Sequence, residues 1–315
     1  MSFDLQSVAL SLTDLNEAAE KDSTDKKSYK DDRFWKPTID DAGNGFAVIR
    51  FLPPPAGENL PWAKYWDYGF QGPTGLWYFK KSLQTLGQTD PVMEYNASLW
   101  ADKSGTQADI EARQNDVRKR KRRLNYVFNI LVVNDPKNPD NNGKVFLYRT
   151  GKTIFDMIKK AMNPEIPEGI SAEDWDEKGI PVFDFLEGAN FKVKIFTKNK
   201  FVKYDDSGFM APSALLEGDE DKLKEVYESL HSLEEINSAD KFGSYDELKT
   251  LLYRVLAIDI DGKPALGAVS STSGSVDTSG QSDNNDEGPE DEEGESADPA
   301  DYFKSMAAQE NEEAA

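Results

Sequence analysis

The 315-residue chain contains no cysteine and one histidine, His231. The missing thiols exclude a disulfide framework and a thiolate zinc site. A single imidazole leaves any histidine base or multi-histidine metal centre resting on one residue. No apolar run approaches the length of a bilayer span. The opening stretch MSFDLQSVALSLTDL lacks the basic and apolar regions of a secretory signal. These absences predict a cytoplasmic protein with no cofactor, no metal and no membrane contact.

Catalytic and nucleotide-binding motifs are also missing. Gly151-Lys152-Thr153 has the form of the end of a phosphate loop, but Phe146 stands where the first glycine belongs. Gly43-Asn44-Gly45 has Val48 in place of the third glycine of a dinucleotide fingerprint, so it reads as a turn. Asp259-Ile260-Asp261-Gly262 lacks the closing glutamate of a calcium loop. With no nucleophile–base arrangement and no clustered acidic motif in the core, the chain reads as a non-enzyme.

Positive charge is in deficit overall: 37 Lys and Arg face 58 Asp and Glu, a net of −21. The deficit is unevenly spread. Residues 267–315 hold 14 acidic side chains and one lysine, which leaves −8 for residues 1–266. That last segment is rich in Ser, Gly, Asp and Glu and cannot bury enough apolar surface to offset chain entropy, so it reads as a disordered acidic tail. Within it DPADYFKSM places Tyr302, Phe303 and Met306 on one face of a short helix, as in a partner-docking peptide. At the other end Leu5, Val8, Leu12 and Leu15 fall at helical spacing ahead of a polar linker, which suggests an N-terminal arm over residues 1–30.

Residues 31–266 form the predicted core. Strands are expected at 46–52, 76–81, 125–133, 144–149 and 190–196, where β-branched and aromatic residues concentrate. Asn142-Gly143 supplies a tight reversal between two of them. Helices are expected at 107–121, 152–162, 219–231 and 244–256. Short strands with helices between some of them suit an α+β fold, a small barrel with helical and loop insertions.

The most informative stretch is RKRKRRLNYVF (118–128). Six consecutive cations, Arg118, Lys119, Arg120, Lys121, Arg122 and Arg123, run into a strand carrying Tyr126 and Phe128. Phosphates need cations along a path, and unpaired bases need flat side chains to stack on. Tyr148-Arg149 with Lys152, Lys200-Phe201 with Tyr204, and Trp77-Tyr78 with Lys80 and Lys81 repeat the combination. Exposed aromatics with cations favour single strands, because duplex bases offer no open faces.

DDAGNGFAVIRFLP (40–53), NILVVNDPKNPDNNGKVFLYRTGKTIFDMI (129–158), EGANFKVKI (187–195) and DKFGSYDEL (240–248) resemble, in order, segments of the single-stranded DNA-binding protein family of T-even-type bacteriophages. The resemblance implies an OB-fold core with a basic, aromatic-lined cleft, an arm for self-association along the DNA, and an acidic tail that recruits phage replication and recombination proteins. It also implies action in the cytoplasm of an infected bacterial host. Lys121, Arg122 and Arg123 match the family's basic cluster, and Tyr126, Tyr148, Phe201 and Tyr204 match its cleft aromatics. Two departures stand out. The family's zinc ligands, one histidine and three cysteines, correspond here to Tyr68, Ser82, Asp90 and Met93, so packing from Trp62, Trp66, Trp77 and Trp100 is expected to hold that loop instead. The arm lacks the family's early basic motif. The expected function is sequence-independent coating of single-stranded DNA in replication, recombination and repair. Its rivals are an acidic scaffold with weak nucleic-acid binding and a single-strand nuclease.

Overall fold

The structure is a computed structural model that describes residues 31–166, 178–198 and 201–259. The expected arm (1–30) and tail (267–315), with Tyr302, Phe303 and Met306, lie outside the described residues, as does Lys200. The chain divides into two compact units, Met1–Phe34 and Trp35–Ala315. The second carries the features described below.

The fold is mixed α+β. Its described strands are β1 (Phe34–Trp35), β2 (Gly45–Phe51), β3 (Trp62–Gln71), β4 (Trp77–Lys81), β5 (Arg123–Asn134), β6 (Val145–Thr150), β7 (Ala189–Lys198), β8 (Phe201–Lys203) and β9 (Gly208–Pro212), and they join in one sheet of nine. The order β6-β5-β2-β7-β8 runs along it, with β3 on β5, β4 on β3 and β9 on β7. The helices are α1 (Pro91–Ala101), α2 (Gln107–Lys119), α3 (Lys152–Met162), α4 (Glu220–Glu228) and α5 (Tyr245–Leu256).

β5 organises the sheet. Its first half pairs with β3, from Trp62↔Phe128 to Asp67↔Arg123. Its second half pairs with β2, from Phe51↔Ile130 to Val48↔Asn134. Along its other edge β6 pairs with it from Tyr126↔Thr150 to Leu131↔Val145. The β5–β6 reversal uses Gly143 at φ 78°, where a side chain would strain the backbone, as the Asn-Gly pair predicts.

Alternation then decides what is buried. Tyr126, Phe128, Ile130 and Val132 of β5 join Ile49 and Phe51 of β2, Phe191 and Val193 of β7, and Ile154 and Ile158 of α3 in the main core. A second cluster joins the β3–β4 hairpin (Tyr68, Phe70, Tyr78) to Leu83, Val92 and the α5 residues Leu248, Leu252 and Val255. Helix ends are fixed by local chemistry. Asp90 caps α1 with Pro91 in its first turn, while Thr106 with Asp109 and Ser244 with Glu247 form capping boxes on α2 and α5.

All five expected strands and all four expected helices are present, within a few residues at each end. The sequence reading omitted β1, β3, β8, β9 and α1.

Candidate nucleic-acid interface

The six-cation block spans the end of α2 and the start of β5, and the fold gives each member a different environment. Arg118 is exposed, 5.6 Å from the Trp100 ring centroid, and donates to Asn115 Oδ1 at 2.7 Å. Lys119 is exposed and pairs with Asp116 at 3.1 Å, a contact that water largely screens. Arg120 turns inward, with Nε donating to Asn96 Oδ1 at 3.0 Å and its guanidinium 5.6 Å from the Tyr95 ring. Burial holds its pKa below the usual value. Lys121 projects into solvent at the junction.

Arg123 opens β5, and Arg122 immediately precedes it. The Arg122 guanidinium sits 4.1 Å from the centroid of Trp66, and its Nη1 donates to Gln84 Oε1. Arg123 forks onto the largely buried Asp67, with Nε–Oδ1 at 3.0 Å and Nη2–Oδ2 at 3.3 Å. Gly69 makes room for it, since a Cβ there would lie 2.6–2.8 Å from three guanidinium atoms. One cationic side chain in this row is therefore stacked on an indole and the next is neutralised by a carboxylate, which directs the block rather than leaving it a diffuse charged loop.

The predicted aromatics occupy the core side. Tyr126 is 6% exposed and stacks on Phe155 with centroids 3.8 Å apart, so one ring face is already covered. Tyr148 is 3% exposed, edge-on to Trp35 at 5.2 Å, and burial raises its pKa well above the ordinary value. Tyr204 is half-buried against the same core, and burial raises its pKa too. Phe201 opens β8 opposite Lys198. Arg149 is half-buried on β6, opposite Val127. Lys152 begins α3 and pairs with Asp156 at 2.5 Å.

Sequence reasoning named Trp66 only as packing for the loop and did not single out Asp67, because it missed β3, which brings both to the basic block. The signal was there: Trp62–Gln71 is dense in aromatics and places Trp62, Lys64, Trp66 and Tyr68 on one face at period two. Lys81 is also more involved than its cluster suggested. Its Nζ donates to the Ile236 carbonyl and lies 4.6 Å from the Tyr65 ring and 5.2 Å from Phe242. Burial, with the nearby Lys241 cation, lowers its pKa to about 8.

The positions matched to the family's zinc ligands form a different kind of joint. Asp90 Oδ2 accepts from Ser82 Oγ at 2.9 Å and Leu83 N at 3.0 Å, and Oδ1 accepts from Val92 N at 2.9 Å and Met93 N at 3.2 Å. Met93 Sδ contacts Gln84 Nε2, and Tyr68 packs edge-on to Tyr78 at 6.2 Å. One carboxylate whose oxygens are taken by four donors, a hydroxyl, a thioether and a phenol do not fit zinc. The expected tryptophan packing is corrected as well. Tyr68, Phe70, Tyr78, Leu83 and Val92 fill this region. Trp62 lies against Phe155, Trp66 under Arg122, Trp100 beside Arg118, and Trp77 is 50% exposed. Register accounts for Trp77: on β4 it faces the opposite side from the buried Tyr78, while Tyr68 and Phe70 of β3 pack toward α5.

Fold and site together define a β-sheet protein with cations ranked along one end of its central strand, the equipment of a polyanion-binding module. The family described as gp32 DNA binding protein like matches residues 43–256, and the chain belongs to that family. The single-stranded DNA-binding protein of Enterobacteria phage T2 is 36% identical over 250 residues, covering 78% of this chain and 76% of that protein. The protein of the same description from Enterobacteria phage T4 is 36% identical over 245 residues, 76% of each. That of Escherichia phage SV14 is 43% identical over 70 residues, 22% of this chain and 61% of that protein. The family is one of DNA-binding proteins rather than enzymes.

Proposed function

We propose that the chain is a non-enzymatic, sequence-independent single-stranded DNA-binding protein that coats DNA during phage replication, recombination and repair. The observation that carries this is its membership in the gp32-like family across residues 43–256. The basic row from Arg118 to Arg123, with Arg149, Lys152 and Lys200, supplies phosphate contacts whose counterion release drives binding. Phe201 and Tyr204 are the aromatics assigned to stack on bases, while Tyr126 and Tyr148, 6% and 3% exposed, support the path from the core side. Selective affinity for single strands pulls duplex open by mass action without ATP.

The finer architecture is part of the same proposal. A long β5 shared between β3 and β2 supports an OB-fold barrel with helical insertions. Residues 1–30 act as an arm for self-association along DNA. Residues 267–315 act as an acidic tail in which Tyr302, Phe303 and Met306 engage replication and recombination proteins. The work takes place in the cytoplasm of the infected host. Among the described residues no helix is long and apolar enough to cross a membrane.

The test is a titration with oligo-dT and with duplex DNA, following intrinsic Trp and Tyr fluorescence across a salt series. Strong binding to oligo-dT alone, weakening steeply with salt, is the expected result. Equal or negligible binding to both would refute the coating role.

A further inference from the structure

On β4, an edge strand paired only with β3, Tyr78 is 1% exposed while its neighbours Trp77 and Phe79 are 50% and 45% exposed. The two exposed rings are parallel within 8°, with centroids 4.9 Å apart. Leu76, at 45%, extends the patch toward the hairpin turn. Large apolar groups on an open sheet edge are an aggregation hazard unless something uses them.

Register shows what borders the pair. Opposite Trp77 is Gln71, opposite Phe79 is Gly69, and opposite Lys81 is Asp67, which pairs in turn with Arg123 of β5. Directly opposed residues share a face, so Trp77, Phe79 and Lys81 lie on the side of the sheet that carries Gly69 and Arg123. Gly69 contributes no side chain, and the Arg123 guanidinium lies over its backbone. Arg149, on the same face by way of Val127, is near enough to act on Lys81. Lys81 and Arg123, with Asp67 between them in register, thus border the face that carries the two stacked rings. β4 and β5 are two strand spacings apart, about 10 Å, so a base on the rings leaves its phosphate within reach of Arg123.

We infer that Trp77 and Phe79 form a base-stacking platform at the sheet edge, which extends the single-strand path from Arg123 across β3 to the hairpin. The inference rests on the single-stranded DNA reading and adds a contact to it. Flat rings with flanking cations match a nucleobase and its phosphate, whereas an apolar peptide has no use for the cations. A duplex has no open base face to offer.

The test uses the full chain, oligo-dT and a salt series, with wild type, the double variant W77A/F79A, and W77F. Both rings are exposed, so the variants keep the core intact, and circular dichroism checks this. The double variant is expected to bind about 5- to 100-fold more weakly. The slope of log affinity against log salt stays the same, because no phosphate contact is lost. W77F keeps affinity within about twofold and loses part of the fluorescence quenching. If the double variant binds like wild type and W77F keeps the full quenching, the platform is refuted while the coating function stands. Failure of the wild type to bind oligo-dT would overturn both.

Discussion

Asp90 accepts the Ser82 hydroxyl at 2.9 Å and, with its other oxygen, the Val92 and Met93 amides that open α1. One buried carboxylate thus ties the loop after β4 to a helix start, at positions where the family resemblance implies a metal. Asp90→Ala leaves four donors unsatisfied, three of them backbone amides, and is expected to cost about 2–4 kcal/mol of stability. Chelator is expected to leave the melting temperature of the wild type unchanged. A chelator-induced fall in thermal denaturation followed by circular dichroism would contradict this account.

Asp67 neutralises Arg123 through a two-pronged contact. Asp67→Asn keeps an acceptor but removes the charge, so Arg123 no longer divides its charge between Asp67 and phosphate. The expected outcome is a stability loss of about 1–3 kcal/mol and tighter binding of oligo-dT at low salt, with the salt slope steeper by about 0.7. An unchanged slope would mean that Arg123 makes no phosphate contact.

Tyr126 and Lys121 are five residues apart and should fail in different ways. Tyr126 is stacked on Phe155 inside the core, so Tyr126→Ala is expected to cost about 3–5 kcal/mol in urea denaturation. Lys121 is exposed, so Lys121→Ala should leave stability within about 0.5 kcal/mol. It should make the salt slope for oligo-dT shallower by about 0.7. If Lys121→Ala leaves binding untouched, the basic row does not track the DNA backbone at this point.

The contrast between these residues also marks how far the sequence could be read. Strands such as β5 and β7 and helices such as α3 announce themselves through composition and period, and the Asn142-Gly143 reversal through its glycine. β3 was hidden because Trp62–Gln71 is aromatic on both faces, so no polar alternation marked it. α1 was hidden because Val92, Met93, Tyr95, Leu99 and Trp100 surround the helix rather than forming one stripe, although Asp90-Pro91 was a legible start. The basic block was plain in the sequence, but the partners that direct it were not. Trp66, Asp67 and Gln84 lie 38 to 56 residues earlier in the chain, and only the β3–β5 register and the loop beyond β4 bring them to Arg122 and Arg123. Whether a strand aromatic faces core or solvent was equally hidden: Tyr126 and Trp77 look alike in sequence and differ completely in burial.

Lys81 provides a prediction in pH. Its folded pKa is lowered to about 8 from 10.5 by burial first, with Lys241 and Arg149 adding repulsion and Asp67 and Asp240 opposing it. Below pH about 8 both folded and unfolded chains hold the proton, and the cost of the buried charge is fully present. Between about 8 and 10.5 the unfolded chain still holds a proton that the folded chain has released, so stability from this group rises with pH. The buried tyrosines Tyr78 and Tyr148, whose pKa values are raised, act in the opposite direction at the alkaline end. The informative quantity is therefore the difference between wild type and Lys81→Met, in which the tyrosine contributions cancel. That difference is expected to stay flat up to pH about 8 and then to shift in favour of wild type toward 10.5. Urea denaturation of both proteins at several pH values reads it directly. A flat difference across the whole range would show that Lys81 keeps an ordinary ammonium in the folded chain.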